Sequence, residues 1–288
     1  MPETYVHNGG SFAALKQVFV RDGGAWKEAT EMWLKDGGVW KLVHENTVSV
    51  VIASDVDGWV LTEEGIEIID PIFLEITVKA GATVKGRAGR QYSLDLAGLN
   101  SSSTVKLVVE AGGAIIGRGG AGGAANGSVG AAGQSAIYTR NAITIENYGT
   151  IAGGGGGGGA GGRGSTSSSY DCNCSTNGEG ETVCETCTAT TYHQGGGGGG
   201  GAGSPGGAGG TGKVAGFPGT TSGGTGGAGG TNAGVGGDGG AYGVTGSAGS
   251  NGNSTNGGAG GASGNWIDGS SYISSQSGDG DTFGPAVN

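Results

Sequence analysis

Three segments of the chain repeat the same alternation of apolar and polar residues. Residues 76–86, 107–117 and 143–153 align without gaps, and each has an apolar-x-apolar strand, a turn containing Gly, a second strand and a terminal Gly. Alternate residues point to opposite faces of a strand, so stacked copies could bury one face as a shared ladder of Ile and Val. The pattern predicts an all-β protein in which residues 48–117 form a small β domain, either a sandwich or a short solenoid.

A second repeat near the start of the chain predicts β-hairpins. Residues 18–27 recur as residues 32–41, and each copy has strand-forming residues, an Asp-Gly-Gly turn and a returning Trp-Lys pair. Asp-Gly readily adopts the positive φ angles of a tight hairpin. Residues 1–47 are therefore predicted to be a hairpin module that attaches to a larger assembly, because exposed aromatic patches are typical of interfaces. The docking residues would be Trp26, Trp33 and Trp40, unless these side chains simply pack on one another.

Glycine dominates the second half of the chain and is regularly placed there. The chain has 74 Gly, with one in every third position from Gly234 to Gly252 and uninterrupted runs of seven at 153–159 and 195–201. A flexible linker needs no such pattern, whereas a period of three is that of the polyproline II helix. The two runs would be the central helices of a bundle. The predicted units are a polyglycine II helix bundle at 118–264, a Cys-rich loop inserted at 165–194, and a C-terminal cap or tail at 265–288.

The charge distribution and the hydropathy of the chain exclude several partners. The net charge is −10, and residues 164–288 carry Lys213 as their one cation against eight Asp and Glu. Nucleic-acid binding requires clustered Lys and Arg, so no nucleic acid is expected. No run approaches the 18 apolar residues of a membrane helix, and the N-terminus lacks the features of a signal peptide. We therefore expect synthesis in a cytoplasm and no membrane insertion.

Four cysteines lie between the two seven-Gly runs, at Cys172, Cys174, Cys184 and Cys187. The turn-forming sequence Asn-Gly-Glu-Gly at 177–180 separates the pairs, so a hairpin would bring Cys172 near Cys187 and Cys174 near Cys184. Thiols so placed fit either a tetrahedral zinc site or two cross-strand disulfides. A reducing cytosol favours zinc and life outside the cell favours disulfides, so zinc is a candidate cofactor and none is certain.

Aromatic residues are the most promising candidates for recognition. No nucleophile, base or carboxylate pair falls in a recognised catalytic pattern, so no catalytic residue is predicted. Aromatic rings that cannot enter a glycine core must lie on its rim or in loops, where they serve recognition at low entropic cost. Trp266 has a second interpretation, as a cap on the apolar end of the bundle. The predicted receptor-binding residues are Tyr170, Tyr192, His193, Phe217, Tyr242, Trp266 and Tyr272.

Two sets of motifs carry a resemblance to a known family. The paired Lys/Arg-Asp-Gly-Gly-x-Trp-Lys hairpins look like a recurrent phage tail module, and residues 114–123 followed by 143–159 are similar to the entry into a polyglycine bundle. The chain thus resembles the glycine-rich receptor-binding tip proteins and fibres of tailed bacteriophages. The resemblance implies a non-catalytic virion tail protein, made in the host cytoplasm and released by lysis, whose apical loops bind a bacterial surface receptor.

The resemblance also implies partners. Other phage tail proteins would bind the N-terminal region, a homotrimer is one compatible assembly, and the receptor would be an outer-membrane protein or a glycan. The acidic second half argues against steering towards anionic lipopolysaccharide. The alternative function is a structural or ice-binding polyglycine bundle without a host receptor, which would present a flat face of Ala and Thr. A polysaccharide-degrading tail enzyme is a third hypothesis.

Overall fold

The N-terminal strands form antiparallel hairpins. A computed structural model of the 288-residue chain describes residues 47–63 and 72–288, together with the backbone of strands between residues 5 and 45. These strands are β1 (Tyr5–Asn8), β2 (Ser11–Ala14), β3 (Phe19–Asp22), β4 (Ala25–Glu28), β5 (Glu31–Asp36) and β6 (Val39–Glu45). The hairpins predicted from the Asp-Gly-Gly repeat are β3–β4 and β5–β6, and both are confirmed. The side chains of Trp26, Trp33 and Trp40 lie outside the described residues, so their docking role stays a prediction.

Beyond the hairpins, the described chain winds as a three-sided solenoid of parallel strands. Each full turn contributes one strand to each of three sheets. The first sheet contains β7 (Thr47–Ile52), β10 (Phe73–Val78), β13 (Thr104–Val109), β16 (Ala142–Asn147) and β21 (Ile273–Ser277). The second contains β8 (Val56–Asp57), β11 (Thr83–Lys85), β14 (Ala114–Ile116), β17 (Thr150–Ala152) and β22 (Asp281–Phe283). The third contains β9 (Trp59–Val60), β12 (Tyr92–Asp95), β15 (Ser135–Tyr138), β20 (Ile267–Asp268) and β23 (Ala286–Val287).

Stacked aliphatic side chains fill the interior of the solenoid. Ile76 of β10 lies opposite Leu107 of β13, which lies opposite Ile145 of β16, and all three are fully buried. An equivalent buried ladder in the third sheet consists of Leu94, Ile137 and Ile267. Each such side chain contributes about 1.5–3 kcal/mol when it is removed from water. The stacked ladder of Ile and Val predicted from the alternation is confirmed, and Leu also takes part in it.

In the third repeat, the first strand pairs with its neighbour in a register that differs by two residues from the register implied by the ungapped alignment. The alignment places Ile143 opposite Leu107, whereas Leu107 pairs with Ile145. The second strands of the repeats keep the predicted register. The difference arises at the corner after β16, where the side-chain oxygen of Asn147 accepts a hydrogen bond from Gly149 N and supports a shorter turn. A shift of two residues leaves the buried face of the strand unchanged, so the core pattern survives.

The glycine-rich region is an insertion into two turns of the solenoid. Residues 117–134 form the first insertion, between β14 and β15, and residues 153–266 form the second, between β17 and β20. Strands β20 to β23 then rejoin the sheets, so residues 265–288 share sheets with the earlier strands. Because β14 and β17 are parallel neighbours in register, the two insertions start side by side.

The glycine tracts pack laterally through backbone hydrogen bonds. The run 153–159 continues to residue 162, and all of its residues are buried. Its N–H groups donate with a period of three, so that Gly155, Gly158 and Gly161 all donate to the tract at 196–202, at 2.7–2.9 Å. Its carbonyl groups accept with the same period. Among the described residues, the hydrogen-bonded neighbours of residues 154–162 are the segments 120–127, 128–134, 196–202, 234–240, 244–250 and 258–264.

Glycine is required in these tracts because of the close approach of neighbouring backbones. A Cβ atom at Gly158 would overlap the carbonyl group of Gly237, and a Cβ at Gly199 in the second run would overlap that of Gly224. The second run is also buried throughout. In this part of the molecule the interior therefore consists of hydrogen-bonded main chain, in which buried N–H and C=O groups find partners in adjacent tracts.

We predict that Gly158→Ala destabilises the protein by about 3 kcal/mol, the upper part of the usual range for overpacking, because the atoms it meets belong to backbone. Gly178→Ala is the matched control, since nothing lies within 4 Å of a Cβ at that position. Chemical denaturation of the two variants measures the difference. Equal stability of both variants would show that the tracts are loosely packed.

Candidate functional site

The glycine tracts have two ends of different character. At the proximal end, which comprises residues 117–119, 153–154 and 264–266, the tracts continue into solenoid strands. Gly154 and Gly164 are ten residues apart along one extended tract, so the far end is about 30 Å away. The distal end consists of a long hairpin at 164–193 and loops at 124–128, 211–213, 229–233 and 251–256.

The distal hairpin is formed by β18 (Gly164–Thr176) and β19 (Thr182–His193) and is exposed along nearly all of its length. Ser and Thr are frequent in both strands, so the surface presents many hydroxyl groups. The side-chain oxygen of Asn177 accepts hydrogen bonds from Glu179 N and Glu181 N and holds the terminal turn. Gly180 completes that turn with a φ of +82°, which favours glycine. The sequence thus specifies the tip of the hairpin locally.

The four cysteines cross-link this hairpin as two disulfides. Cys172 is bonded to Cys187 and Cys174 to Cys184, which is the pairing expected from the hairpin. The zinc site considered from the sequence is therefore wrong, because every thiol is consumed in a disulfide and none remains as a thiolate ligand. Within the described residues, no group of three or more His, Cys, Asp or Glu side chains could hold a metal ion.

The base of the hairpin is clamped by neighbouring loops. Asn253 accepts a hydrogen bond from Ser165 N at 2.7 Å and donates one to Ser165 O at 3.0 Å, and Asn232 also donates to that carbonyl, at 3.1 Å. The guanidinium group of Arg163 lies 3.7 Å from the centre of the Tyr192 ring, a cation–π contact. The hairpin is therefore held at its base by amide and aromatic contacts, although its length is in solvent.

The predicted recognition residues fall into separate groups. Tyr170 and Tyr192 project from the hairpin, and each is 54% exposed. His193 is partly buried at the base, where its Nε2 lies 3.0 Å from the Thr166 hydroxyl. Phe217 is 61% exposed but lies midway along a tract, since its carbonyl accepts from Gly200 N.

The other three predicted residues lie at the solenoid end of the tracts. Tyr242 packs near Phe283 of β22, with ring centroids 6.3 Å apart, and burial raises the pKa of its hydroxyl. Tyr272 follows β20 in a short turn and is partly exposed. Trp266 is 8% exposed and packs in the core of the solenoid, so its assignment to a receptor-binding surface is corrected. Because Trp266 is next to β20, its side chain can pack in the solenoid core. The glycine-rich sequence before Trp266 gives no sign that this core is nearby.

Sequence reasoning missed several distal loops that surround the base of the hairpin. Asn126 and Asn232 have φ angles of 69° and 55°, which Asn tolerates better than most residues. Asn126 lies in the loop at 124–128 and Asn232 in the loop at 229–233. A third loop, at 251–256, contains Asn253. Isolated Asn residues between glycine tracts mark these turns in the sequence. A search for exposed aromatic residues does not find these turns, because their characteristic residues are small and polar.

The distal hairpin is acidic. Residues 164–193 contain Asp171, Glu179, Glu181 and Glu185 and no Lys or Arg. All four carboxylates are exposed, so they are well hydrated and act mainly on approaching partners. Such a surface repels anionic partners and favours neutral or basic ones.

Comparison with known proteins decides the family. The family model of the phage tail fibre adhesin Gp38 matches residues 44–287. The chain belongs to this adhesin family. Among solved structures, the crystal structure of the gp37-gp38 adhesin tip complex of the bacteriophage S16 long tail fiber is similar, with 21% identity, a TM-score of 0.49, and coverage of 85% of this chain and 84% of that chain. No curated protein matches the chain.

The Gp38 adhesin is a receptor-binding protein of the virion tail, as the sequence predicted. This activity requires a surface that is presented to the host cell and positioned firmly. In the part of the chain that the structure describes, no helix is long and apolar enough to cross a membrane. The distal hairpin of the adhesin presents a long series of exposed side chains.

We predict that reduction of the adhesin loosens the hairpin alone. A disulfide stabilises by about 3 kcal/mol, so loss of both should speed amide exchange across residues 166–192 by about 100-fold or more, while residues 153–162 keep their protection. EDTA should change neither region. Hydrogen exchange with and without a phosphine reductant measures this. The double variant Cys172→Ser, Cys187→Ser removes the Cys172–Cys187 disulfide and leaves the Cys174–Cys184 disulfide in place. Loss of protection on EDTA treatment would contradict the disulfide assignment.

Proposed function

We propose that the distal hairpin and the loops around its base form the surface that contacts the host receptor. The observation that carries this proposal is a hairpin that is exposed along its length, cross-linked by two disulfides and clamped at its base through Asn253. A receptor-binding element gains affinity when it is ordered before binding, because less entropy is lost. Tyr170 and Tyr192 supply rigid aromatic contacts, and the Ser and Thr hydroxyls supply hydrogen bonds.

We further propose that the glycine tracts are a polyglycine II helix bundle that serves as a rigid spacer. The period of three in their hydrogen bonds, the six neighbouring segments of the first run in the described residues, and the close approach at Gly158 support this assignment. In this proposal, residues 118–264 form the bundle and carry the loop at 165–194, while the solenoid fixes where the tracts begin. A rigid spacer sets the distance between the hairpin and the solenoid.

The N-terminal residues 1–47 are the proposed attachment module. Their hairpins precede β7 in the chain, and β7 is the edge strand of the first solenoid sheet, so in this proposal they bind another tail fibre protein without covering the distal loops. Docking through Trp26, Trp33 and Trp40 and assembly as a homotrimer belong to this proposal. We infer that the adhesin acts by binding without catalysis, that its receptor is an outer-membrane protein or a glycan, and that it is made in the host cytoplasm and released by lysis. Release then exposes the cysteines to the oxidising conditions that disulfides need.

Adsorption of phage to host cells tests the proposed surface. Replacement of residues 166–191 by a short Gly-Ser turn should abolish adsorption while particles still assemble, because the deleted residues pair mainly with one another and are exposed over most of their length. Tyr170→Ala should reduce adsorption by about tenfold or more, as expected for an aromatic hot spot. Tyr148→Ala is the matched control, since Tyr148 is 46% exposed on the solenoid. Normal adsorption after deletion of the hairpin would refute the assignment.

A further inference from the structure

A cleft of about 470 Å³ lies at the proximal end of the glycine tracts, about 30 Å from the distal hairpin. Its walls are the turn at 87–91 between β11 and β12, the start of the first tract at 118–121 and the returning segment at 131–135. Asn265 and Asp268 close one side. A cleft of this volume accepts a small molecule. We call it the arginine cleft, because three arginine residues line it.

Three of the six arginines in the chain line the arginine cleft, at Arg87, Arg90 and Arg118. Glu63 forms ion pairs with Arg87 and Arg90, and the Arg87 pair measures 3.2 Å. In the described residues, Arg118 makes no ion pair. The pairs to Glu63 are substantially exposed, and such pairs are weak, so another anion can compete for these guanidinium groups. The cleft therefore has a positive lining in a protein whose net charge is −10.

The geometry of the arginine cleft is fixed by one glutamine. Gln134 Nε2 donates hydrogen bonds to the carbonyls of Arg87 and Arg90, and its Oε1 accepts from Arg118 N at 3.3 Å. A single side chain thus ties the turn at 87–91 to the start of the first tract. A Cβ at Gly86 would overlap Gln134 Oε1, so glycine there makes room for this link. The backbone positions of Arg87, Arg90 and Arg118 are consequently fixed relative to one another by Gln134.

One aromatic residue, Tyr92, lines the cleft. The Tyr92 hydroxyl donates to Asp268 Oδ2 at 2.7 Å, and Arg140 donates to Oδ1 of the same carboxylate at 2.8 Å. The Tyr92 ring packs against the Tyr138 ring at a tilt of 36°, with centroids 4.7 Å apart. Burial and the hydrogen bond to Asp268 raise the pKa of Tyr92, so its hydroxyl remains a neutral donor. Asp268 is neutralised by Arg140 and does not cancel the positive charge of the lining.

We propose that the arginine cleft binds an acidic saccharide, a sugar ring that carries a carboxylate or a phosphate. Guanidinium groups bind both anions in bidentate geometry, while the amides of Gln91 and Asn265 can bond sugar hydroxyls beside Tyr92. Large apolar side chains that are exposed elsewhere in the described chain do not line the cleft, which favours a polar ligand over an apolar peptide. The inference rests on the proposed function in one respect: that function makes a glycan of the host surface the source of the sugar.

Ligand-observed NMR titration of the purified full chain tests this proposal with a matched set of sugars. The probes are galactose, galacturonate and galactose 6-phosphate, together with inorganic phosphate. At least one acidic sugar should bind about tenfold or more tightly than galactose, because charge-assisted hydrogen bonds are the stronger ones. Arg118→Gln should lose that preference. Lys79→Gln, which removes one exposed cation at a distant corner of the solenoid, should keep it.

Comparison of the two acidic sugars identifies the preferred anion. The proposal is overturned if neither binds more tightly than galactose, if Arg118→Gln binds like the unmodified chain, or if inorganic phosphate binds as tightly as both acidic sugars, since the cleft would then recognise an anion alone. Circular dichroism of each variant establishes that it is folded. The titration contains no host cells and tests the arginine cleft alone. A negative titration therefore overturns this inference, whereas normal adsorption by phage that lack the hairpin would overturn the proposed function.

Discussion

Close lateral approach of main chains is the constraint on which the glycine-rich half of the adhesin depends. Gly155, Gly158 and Gly161 can donate to one neighbouring tract only because no side chain separates the two backbones. Hydrogen bonds here do what apolar side chains do in an ordinary core, since few aliphatic groups are available to bury. Each bond contributes a modest net free energy, but a buried N–H or C=O without a partner would cost more. The arrangement is therefore sensitive to any added Cβ and tolerant of exposed residues such as Asn, Ser and Thr at the rim.

The solenoid supplies what the glycine tracts cannot supply for themselves. Extended glycine chains have a large conformational entropy, and nothing in a glycine run specifies its register. Parallel pairing of β14 and β17 brings residues 117 and 153 out of the sheet side by side, with Gly117 N donating to Ala152 O at 2.8 Å. The buried ladders through Ile76 and Leu94 stabilise that starting point. Register set in the solenoid is then transmitted along the tracts to the base of the hairpin.

Local patterns were sufficient to predict the strands, the hairpins and the cysteine pairing. Alternation around Ile76 and the Asn-Gly-Glu-Gly turn at 177–180 each specify structure within a few residues. Features that depend on distant contacts were not accessible in this way. The shift at Asn147 follows from one side-chain turn, and Trp266 enters a core built from strands more than 100 residues earlier in the chain. Similarly, the arginine cleft brings together residues from 87–91, 118–121 and 265–268, which are far apart in the sequence.

The two proposed binding regions differ in the sign of their charge and are also far apart. The hairpin carries carboxylates such as Asp171 and Glu185, whereas the proximal cleft presents Arg118 with no ion pair in the described residues. At physiological ionic strength the screening length is about 8 Å, well below the roughly 30 Å between them. Neither region therefore alters the local potential of the other appreciably. An adhesin that is acidic overall can consequently hold an anionic sugar at the solenoid while its hairpin contacts a receptor that is neutral or basic.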